Sequence, residues 1–389
     1  MRGTTRMRLA FLYRRLAREG GTEEDLYRTL AELARRGHDV HVFCADVRTT
    51  APPGVSARRV PVVHAGRLAR LLSFAWVAPR MAAIAGPWDV VVGFGRTSRQ
   101  DLIRCGGGTH LAYLETMRTS GARGSILGPY HRAVLALEAR QYRPGNFRRA
   151  LAVSGRVKKE IVSGYAVSPE LIRISYNGVD SVRFDVKRRA LLGQAVRRRF
   201  GLPADARVVL SVGSGFRRKG VDTLMRLWSD NPPSDAWLMV VGADERIGAY
   251  QRAATRPPLS KRVVLTGPQA GIEEFYAAAD AVVVASLQEA FGNVVLEALA
   301  AGLPVVTSTR VGAAELLAGC LRDLLVDDPR DLEALRGRLG LALGARWGDF
   351  SREARRVAEE RPWSEHFAEF ESLLEETAAA RYDGVPGLP

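Results

Sequence analysis

Two glutamates separated by seven residues, Glu289 and Glu297, lie in the run Ala285–Gly302, ASLQEAFGNVVLEALAAG. The pattern predicts a strand ending at Ser286, a short loop carrying Glu289, and a helix opening near Phe291–Asn293 with Glu297 one to two turns inside it. The first turn of a helix has unsatisfied N–H groups and a positive dipole end, which together favour a phosphate. A carboxylate on either side of that phosphate can grip the hydroxyls flanking a diphosphate, those of a sugar and of a ribose, through charge-strengthened hydrogen bonds. A second segment, Val212–Asp222 (VGSGFRRKGVD), supplies Arg217, Arg218 and Lys219. A departing diphosphate develops about two to three negative charges, and fixed cations stabilise them. Gly213–Gly215 lacks the GxGxxG spacing of a dinucleotide site, and bulky basic residues follow it. The chain has no Asp-x-Asp triplet to hold a divalent ion, so the expectation is a metal-independent site with no cofactor.

The elements that must position these groups alternate between short β-rich runs and longer helical stretches, the pattern of parallel α/β sheets. Arg8–Tyr13 reads as a first strand, Glu23–Arg36 as a helix ended by Gly37, Val40–Cys44 as a second strand and Asp89–Gly93 as another. The series restarts at Arg207–Val212 and continues through Trp237–Gly242, Val263–Gly267, Ala281–Ser286 and Pro304–Thr307. Val186–Phe200 reads as a charged helix between the two series, and Trp363–Tyr382 as an amphipathic C-terminal helix. The expected architecture is α/β: an N-terminal Rossmann-like domain over residues 1–182 and a C-terminal one over 183–362, with 363–382 packing back on the first. Two doubly wound sheets in series are expected to face a central cleft at their strand C-terminal edges. Such an architecture suits a transferase, an epimerase or a dehydrogenase.

The Glu289–Glu297 spacing resembles the E-x7-E signature of family 4 of the retaining GT-B glycosyltransferases. That resemblance implies that Glu289 binds the donor sugar, Glu297 the ribose, and the amides of Phe291, Gly292 and Asn293 the diphosphate. Arg218 and Lys219 match the family's basic pair before Gly-Val-Asp. Tyr176–Asp180 (YNGVD) resembles its inter-domain turn, Val263–Gln269 its nucleobase-facing strand and loop, and Gly20–Gly21 its N-terminal Gly-rich turn at the donor. Val92–Asp101 (VGFGRTSRQD) and Ser214–Asp222 are similar to one branch, the glucosyltransferases that add the first glucose to heptose in the lipopolysaccharide inner core. The branch places an implicated aspartate at Asp101. Arg104–His110 (RCGGGTH) departs from it, and His110 competes with Asp101 for the catalytic region. The function implied is transfer of a hexose, glucose first, from a nucleotide sugar to a lipopolysaccharide core or related glycolipid or polysaccharide. A GT-B epimerase or a non-catalytic sugar- or membrane-binding relative are the alternatives.

Composition narrows the setting. Residues 1–199 carry 36 Lys and Arg against 15 Asp and Glu, while 200–389 carry 21 against 27, so the net +15 comes wholly from the first half. A basic half implies an anionic partner. Nucleic acid is the weaker choice, because the basic residues are not interleaved with aromatics and no known binding pattern occurs. Gly66–Gly86, apolar with Arg67, Arg70 and Arg80, reads as a core helix broken at Pro79, with peripheral contact to anionic lipid as its other reading. Cys44, Cys105 and Cys320 have no ligand spacing and read as thiols of a reducing compartment. With no leader-like segment at the N-terminus, the cytoplasm is the expected location.

Overall fold

The strands fall into two large, separate parallel sheets wound in the same order, with a small two-stranded sheet of Arg15–Leu16 and Asp46–Val47 besides. A computed structural model describes residues 5–18, 20–119, 128–185, 192–233 and 235–380. The first sheet runs Val55–Arg59, Asp39–Cys44, Arg8–Leu12, Val90–Gly93, Leu102–Cys105, Arg149–Ala152 and Ile172–Ile174 from edge to edge. The second runs Val263–Gly267, Ala236–Val241, Arg207–Val212, Ala281–Val284, Val305–Ser308 and Leu325–Val326. In both, the chain winds outward from the first strand in one direction and then reverses, the doubly wound arrangement. The reversal falls beside Arg8–Leu12 in one sheet and beside Arg207–Val212 in the other. The chain divides into a unit of residues 1–176 with 364–389 and a unit of Asn177–Trp363.

Helices on both faces explain the strand composition: central strands buried on two sides read as unbroken apolar runs. Leu9, Phe11, Val40, Val42, Val90 and Val92 are fully buried in the first unit, as are Val208, Leu210, Leu238 and Val282 in the second. In the first unit Phe74, Ala78 and Ala82 of helix Gly66–Ala85 pack with Leu12, Phe43 and Trp88. This helix is continuous through Pro79, which corrects the expected break. Proline removes the N–H that would bond the carbonyl four residues back. That carbonyl, Ala75 O, instead accepts the N–H of Ser98 at 2.9 Å, so no acceptor is stranded. The buried stripe is Phe74, Ala75, Ala78 and Ala82, while Leu68, Leu71 and Leu72 are only half-buried and Trp76 and Ile84 are exposed. By length and composition the helix could cross a bilayer (mean hydropathy 1.3, with 22% of that window buried), yet one face is packed on the sheet.

The C-terminal helix, Trp363–Ala379, is held in the first unit by Glu371, whose carboxylate bonds Arg36 at 2.6 Å and His38 at 2.7 Å. His366 of the same helix is buried, with Nδ1 3.0 Å from both Ser175 Oγ and Tyr176 O. Of the charged stretch 186–200, residues 186–191 lie outside the described residues and Gln194–Arg199 is helical.

Candidate active site

In the second unit, loops leaving adjacent strands at the reversal point diverge to opposite faces, and the crevice they leave is where open α/β sheets bind ligands. Gly213–Gly220 follows Arg207–Val212, and Ala285–Gly292 follows Ala281–Val284. The two loops are stitched together: Leu287 N–H donates to Arg218 O at 2.9 Å. The second loop is also pinned to the chain beyond strand Val305–Ser308. Glu289 N–H donates to Arg310 O at 3.1 Å, Gly312 N–H to Glu289 O at 3.2 Å, and Ala313 N–H to Phe291 O at 2.8 Å.

This framework brings three donors onto one carboxylate oxygen. Glu289 Oε1 accepts from Arg218 Nη1 at 2.7 Å, Lys219 Nζ at 2.5 Å and Ser286 Oγ at 3.1 Å. Its Oε2 makes no hydrogen bond among the described residues and keeps its acceptor capacity. Burial alone would push the Glu289 carboxyl up, but the Lys219 and Arg218 cations outweigh it and hold the group below its ordinary value. Lys219 reaches this position past Gly213, at φ 143°, where a Cβ would stand 2.5 Å from the lysine Cε. Arg217, the third cation of the segment, is exposed.

Helix Asn293–Ala300 opens directly after the loop. Gly292 turns into it at φ 94°, and a Cβ there would stand 2.8 Å from Val311 Cγ1. The helix N-terminus therefore follows Phe291–Gly292–Asn293, with Glu297 one turn further on. Glu297 Oε2 accepts from Tyr276 OH at 2.7 Å; burial and then the Glu297 carboxylate raise that phenol well above its ordinary value. Asn293 Oδ1 accepts from Asn177 Nδ2 at 2.8 Å, joining the YNGVD turn to the same helix end. Arg218, Lys219, Glu289, Phe291–Asn293 and Glu297 thus gather on one crevice edge. Sequence reasoning missed Ser286 and Tyr276. Ser286 ends the strand and was readable as a loop hydroxyl, whereas nothing in the sequence links Tyr276 to Glu297.

The N-terminal candidates lie in the other unit. Gly20, at φ 106°, precedes helix Gly21–Arg35, and Tyr13 OH bonds Glu23 Oε1 of that helix at 3.2 Å. His110 begins helix His110–Thr119, beyond the C-terminal end of strand Leu102–Cys105. Its backbone N–H donates to Glu138 Oε2 at 2.7 Å, and its Nε2 lies 3.0 Å from His131 Nδ1. Burial, Arg96 and His131 lower its pKa to about 4, so the imidazole is neutral at neutral pH. Asp101 is placed differently, just before the N-terminal end of that strand. Its Oδ2 accepts the Val91 N–H at 2.8 Å, its Oδ1 lies 3.3 Å from Arg148 Nε, and the residue is buried. It does not join His110 at the C-terminal edge.

Residues 19–183 match the profile of Glycosyltransferase Family 4, and residues 206–340 that of Glycosyl transferases group 1. Lipopolysaccharide glucosyltransferase WaaG of Escherichia coli K12 is 27% identical over 330 residues, covering 83% of this chain and 86% of that protein. A probable transglycosylase of Burkholderia thailandensis, BTH_I0986, is 32% identical over 381 residues, covering 94% and 96%. Among solved structures, WaaG superposes with a TM-score of 0.78 at 24% identity, covering 97% of this chain and 100% of that one. HepE of Anabaena, crystallised with UDP and glucose, superposes at 0.71 with 18% identity, covering 95% and 100%. Two Rossmann-like units in the GT-B arrangement of elements and similarity to these proteins along most of the chain make it a glycosyltransferase of family 4.

Proposed function

We propose that this glycosyltransferase, of the lipopolysaccharide-core type, moves glucose from UDP-glucose to a glycolipid or polysaccharide acceptor with retention of anomeric configuration. The observation that carries the proposal is the convergence of Arg218, Lys219 and Ser286 on Glu289 beside the helix opening at Gly292. In this reading Glu289 Oε2 accepts a sugar hydroxyl and Glu297 a ribose hydroxyl. The diphosphate rests on the helix N-terminus, and its developing charge is met by Arg218 and Lys219. These cations do the work of a metal ion, so the reaction proceeds without one. UDP-glucose as donor is supported by the HepE complex with UDP and glucose, and glucose transfer to lipopolysaccharide by the likeness to WaaG. The bond from the anomeric carbon to the diphosphate oxygen breaks, and the acceptor oxygen bonds that carbon on the same face. His110 is the N-terminal residue we assign to orienting the acceptor hydroxyl, whose proton passes to an oxygen of the departing diphosphate. What favours it over Asp101 is that Asp101 already serves the Val91 N–H and Arg148.

The anionic acceptor and a peripheral membrane position are supported by the basic first half and by helix Gly66–Ala85. There Arg67 stacks on Tyr130, and Arg80 and Arg140 on Trp76, at 4.7, 5.4 and 4.6 Å to the ring centroids. A cytoplasmic location belongs to the same proposal. The test is a donor panel of UDP-glucose, UDP-galactose, UDP-N-acetylglucosamine and GDP-mannose with an O-deacylated, heptose-terminated core oligosaccharide, read by NMR of the new glycosidic bond. An α-glucosyl product from UDP-glucose alone is expected. A β-linked product, or a preference for GDP-mannose, overturns the reading.

A further inference from the structure

The basic loop of the donor crevice is pinned to Leu287 on one side, and its other side rests on a segment with no role so far. Residues 242–246 follow strand Ala236–Val241 and lead into helix Ile247–Ala254. The two backbones touch, since a Cβ on Gly242 would run into Gly213 O. Gly215 N–H donates to Ala243 O at 3.0 Å, and Ala243 N–H to Ser214 Oγ at 3.3 Å. Asp244 closes the contact with both carboxylate oxygens. Oδ1 accepts the Arg246 N–H at 2.8 Å, which fixes the side chain within its own loop, and Oδ2 accepts the Phe216 N–H at 2.7 Å. Phe216 is fully buried against Tyr250, with ring centroids 5.2 Å apart and planes at 77°, and Tyr250 OH donates to Asp222 Oδ1 at 2.7 Å. From Phe216 to Lys219 the chain makes one tight turn. Lys219 N–H donates to Gly215 O at 3.1 Å and Val221 N–H to Phe216 O at 2.9 Å. The anchoring of Phe216 therefore sets where Arg218 and Lys219 stand.

We propose that Asp244 is a positioning residue for diphosphate recognition: it acts through the turn that carries Arg218 and Lys219, which it holds in place for the donor. This rests on the reading above, in which those two cations meet the diphosphate. Two backbone N–H groups from different loops need two acceptors at once, and an ionised carboxylate supplies both with charge-strengthened bonds. Arg218 and Lys219 are crowded onto one oxygen of Glu289, where their like charges repel each other. Holding two such charges ready for a phosphate takes a brace behind the turn, because stabilisation by fixed charge depends on its being placed beforehand. Without Asp244 the Phe216 N–H loses its acceptor beside a buried ring, and the turn shifts to bring that group to water. Displacement of such a group by about 1 Å costs about 100-fold in rate.

The experiment titrates the full-length chain with UDP and with UMP, which lacks the terminal phosphate, by calorimetry, and uses thermal melting to show that each variant folds. Asp244→Ala is expected to raise the Kd for UDP about 10-fold and that for UMP by less than about twofold, so that the chain no longer tells the two apart as well. Asp244→Asn keeps the shape but offers one oxygen, and its Kd for UDP should rise at least about threefold. In the Arg218→Ala/Lys219→Ala background the groups that Asp244 positions are gone, so adding Asp244→Ala should change UDP binding by less than about twofold. A residue that only supports the fold would weaken UDP and UMP alike and would weaken the double variant further; either result overturns the proposal. If Arg218→Ala/Lys219→Ala weakens UDP binding while folded Asp244→Ala and Asp244→Asn bind it as wild type does, this inference fails alone. If Arg218→Ala/Lys219→Ala itself leaves UDP binding unchanged, the donor reading fails and the role of Asp244 with it.

Discussion

Glu289 is anchored through one oxygen by a lysine, an arginine and a serine. An ion pair this buried stabilises little by itself, and breaking it leaves a charge without its partner. Lys219→Ala is accordingly expected to lower kcat by about 100-fold, the scale of one lost oxyanion-type donor, in steady-state assays with saturating UDP-glucose. Tyr276→Phe keeps the buried ring but removes the hydrogen bond to Glu297. A bond to a charged group is worth about 1.5–3 kcal/mol, so the Kd for UDP-glucose should rise about 10-fold or more by calorimetry. In the proposed reading His110 contributes to the pH behaviour. It must be neutral to accept a hydrogen bond from the acceptor hydroxyl, and its pKa is lowered to about 4 by burial, Arg96 and His131. A lowered pKa extends the active form downward, so kcat should show no acid limb near the ordinary histidine value of about 6.5. A limb there assigns that role to another group.

At the scale of elements, the loop-to-helix passage at Gly292 shapes the proposed donor site. Gly292→Ala forces a side chain onto φ 94° and against Val311, and left-handed strain in a non-glycine residue costs about 1–3 kcal/mol. The expected result is a lower melting temperature together with weakened UDP binding. Much of this framework was legible in the sequence, because the β-rich runs of the second half and the E-x7-E spacing sit in order along one short stretch. Arg207–Val212 and Val263–Gly267 were read to the residue. The strands Leu102–Cys105 and Arg149–Ala152 were not seen, since four residues containing an arginine do not look like a core strand. Arg104 is tolerated there because Asp25, on helix Gly21–Arg35, pairs with it in full burial. A partner that distant in sequence leaves no local signal. Edge strand Val55–Arg59 escaped for the opposite reason, its side chains being mostly exposed. The place of His110 was readable as a residue near a Gly-rich loop, but its pairing with His131 depends on a helix packing that spacing does not reveal.

The whole molecule is electrically lopsided, with the positive excess confined to the half that would receive the acceptor. Fixed charge of one sign raises the local concentration of an anionic partner and makes association sensitive to salt. The chain is expected to sediment with vesicles rich in phosphatidylglycerol and not with pure phosphatidylcholine, and to be released by about 0.5 M salt. Equal binding to both vesicle types contradicts an electrostatic membrane role for the basic half. Chelation addresses the other end of the reaction. If Arg218 and Lys219 carry the leaving-group charge as proposed, EDTA should leave the rate within about twofold. A loss that magnesium or manganese restores assigns that charge to a metal ion instead.

The central claim is that the Glu289–Arg218–Lys219 crevice and Glu297 bind a nucleotide sugar, and titration of UDP-glucose by calorimetry tests it most directly. Binding to the wild-type chain, weakened at least about 10-fold in Glu297→Ala and in Lys219→Ala while both variants remain folded, is the predicted result. No binding by a folded wild-type chain, or binding indifferent to both substitutions, contradicts the account.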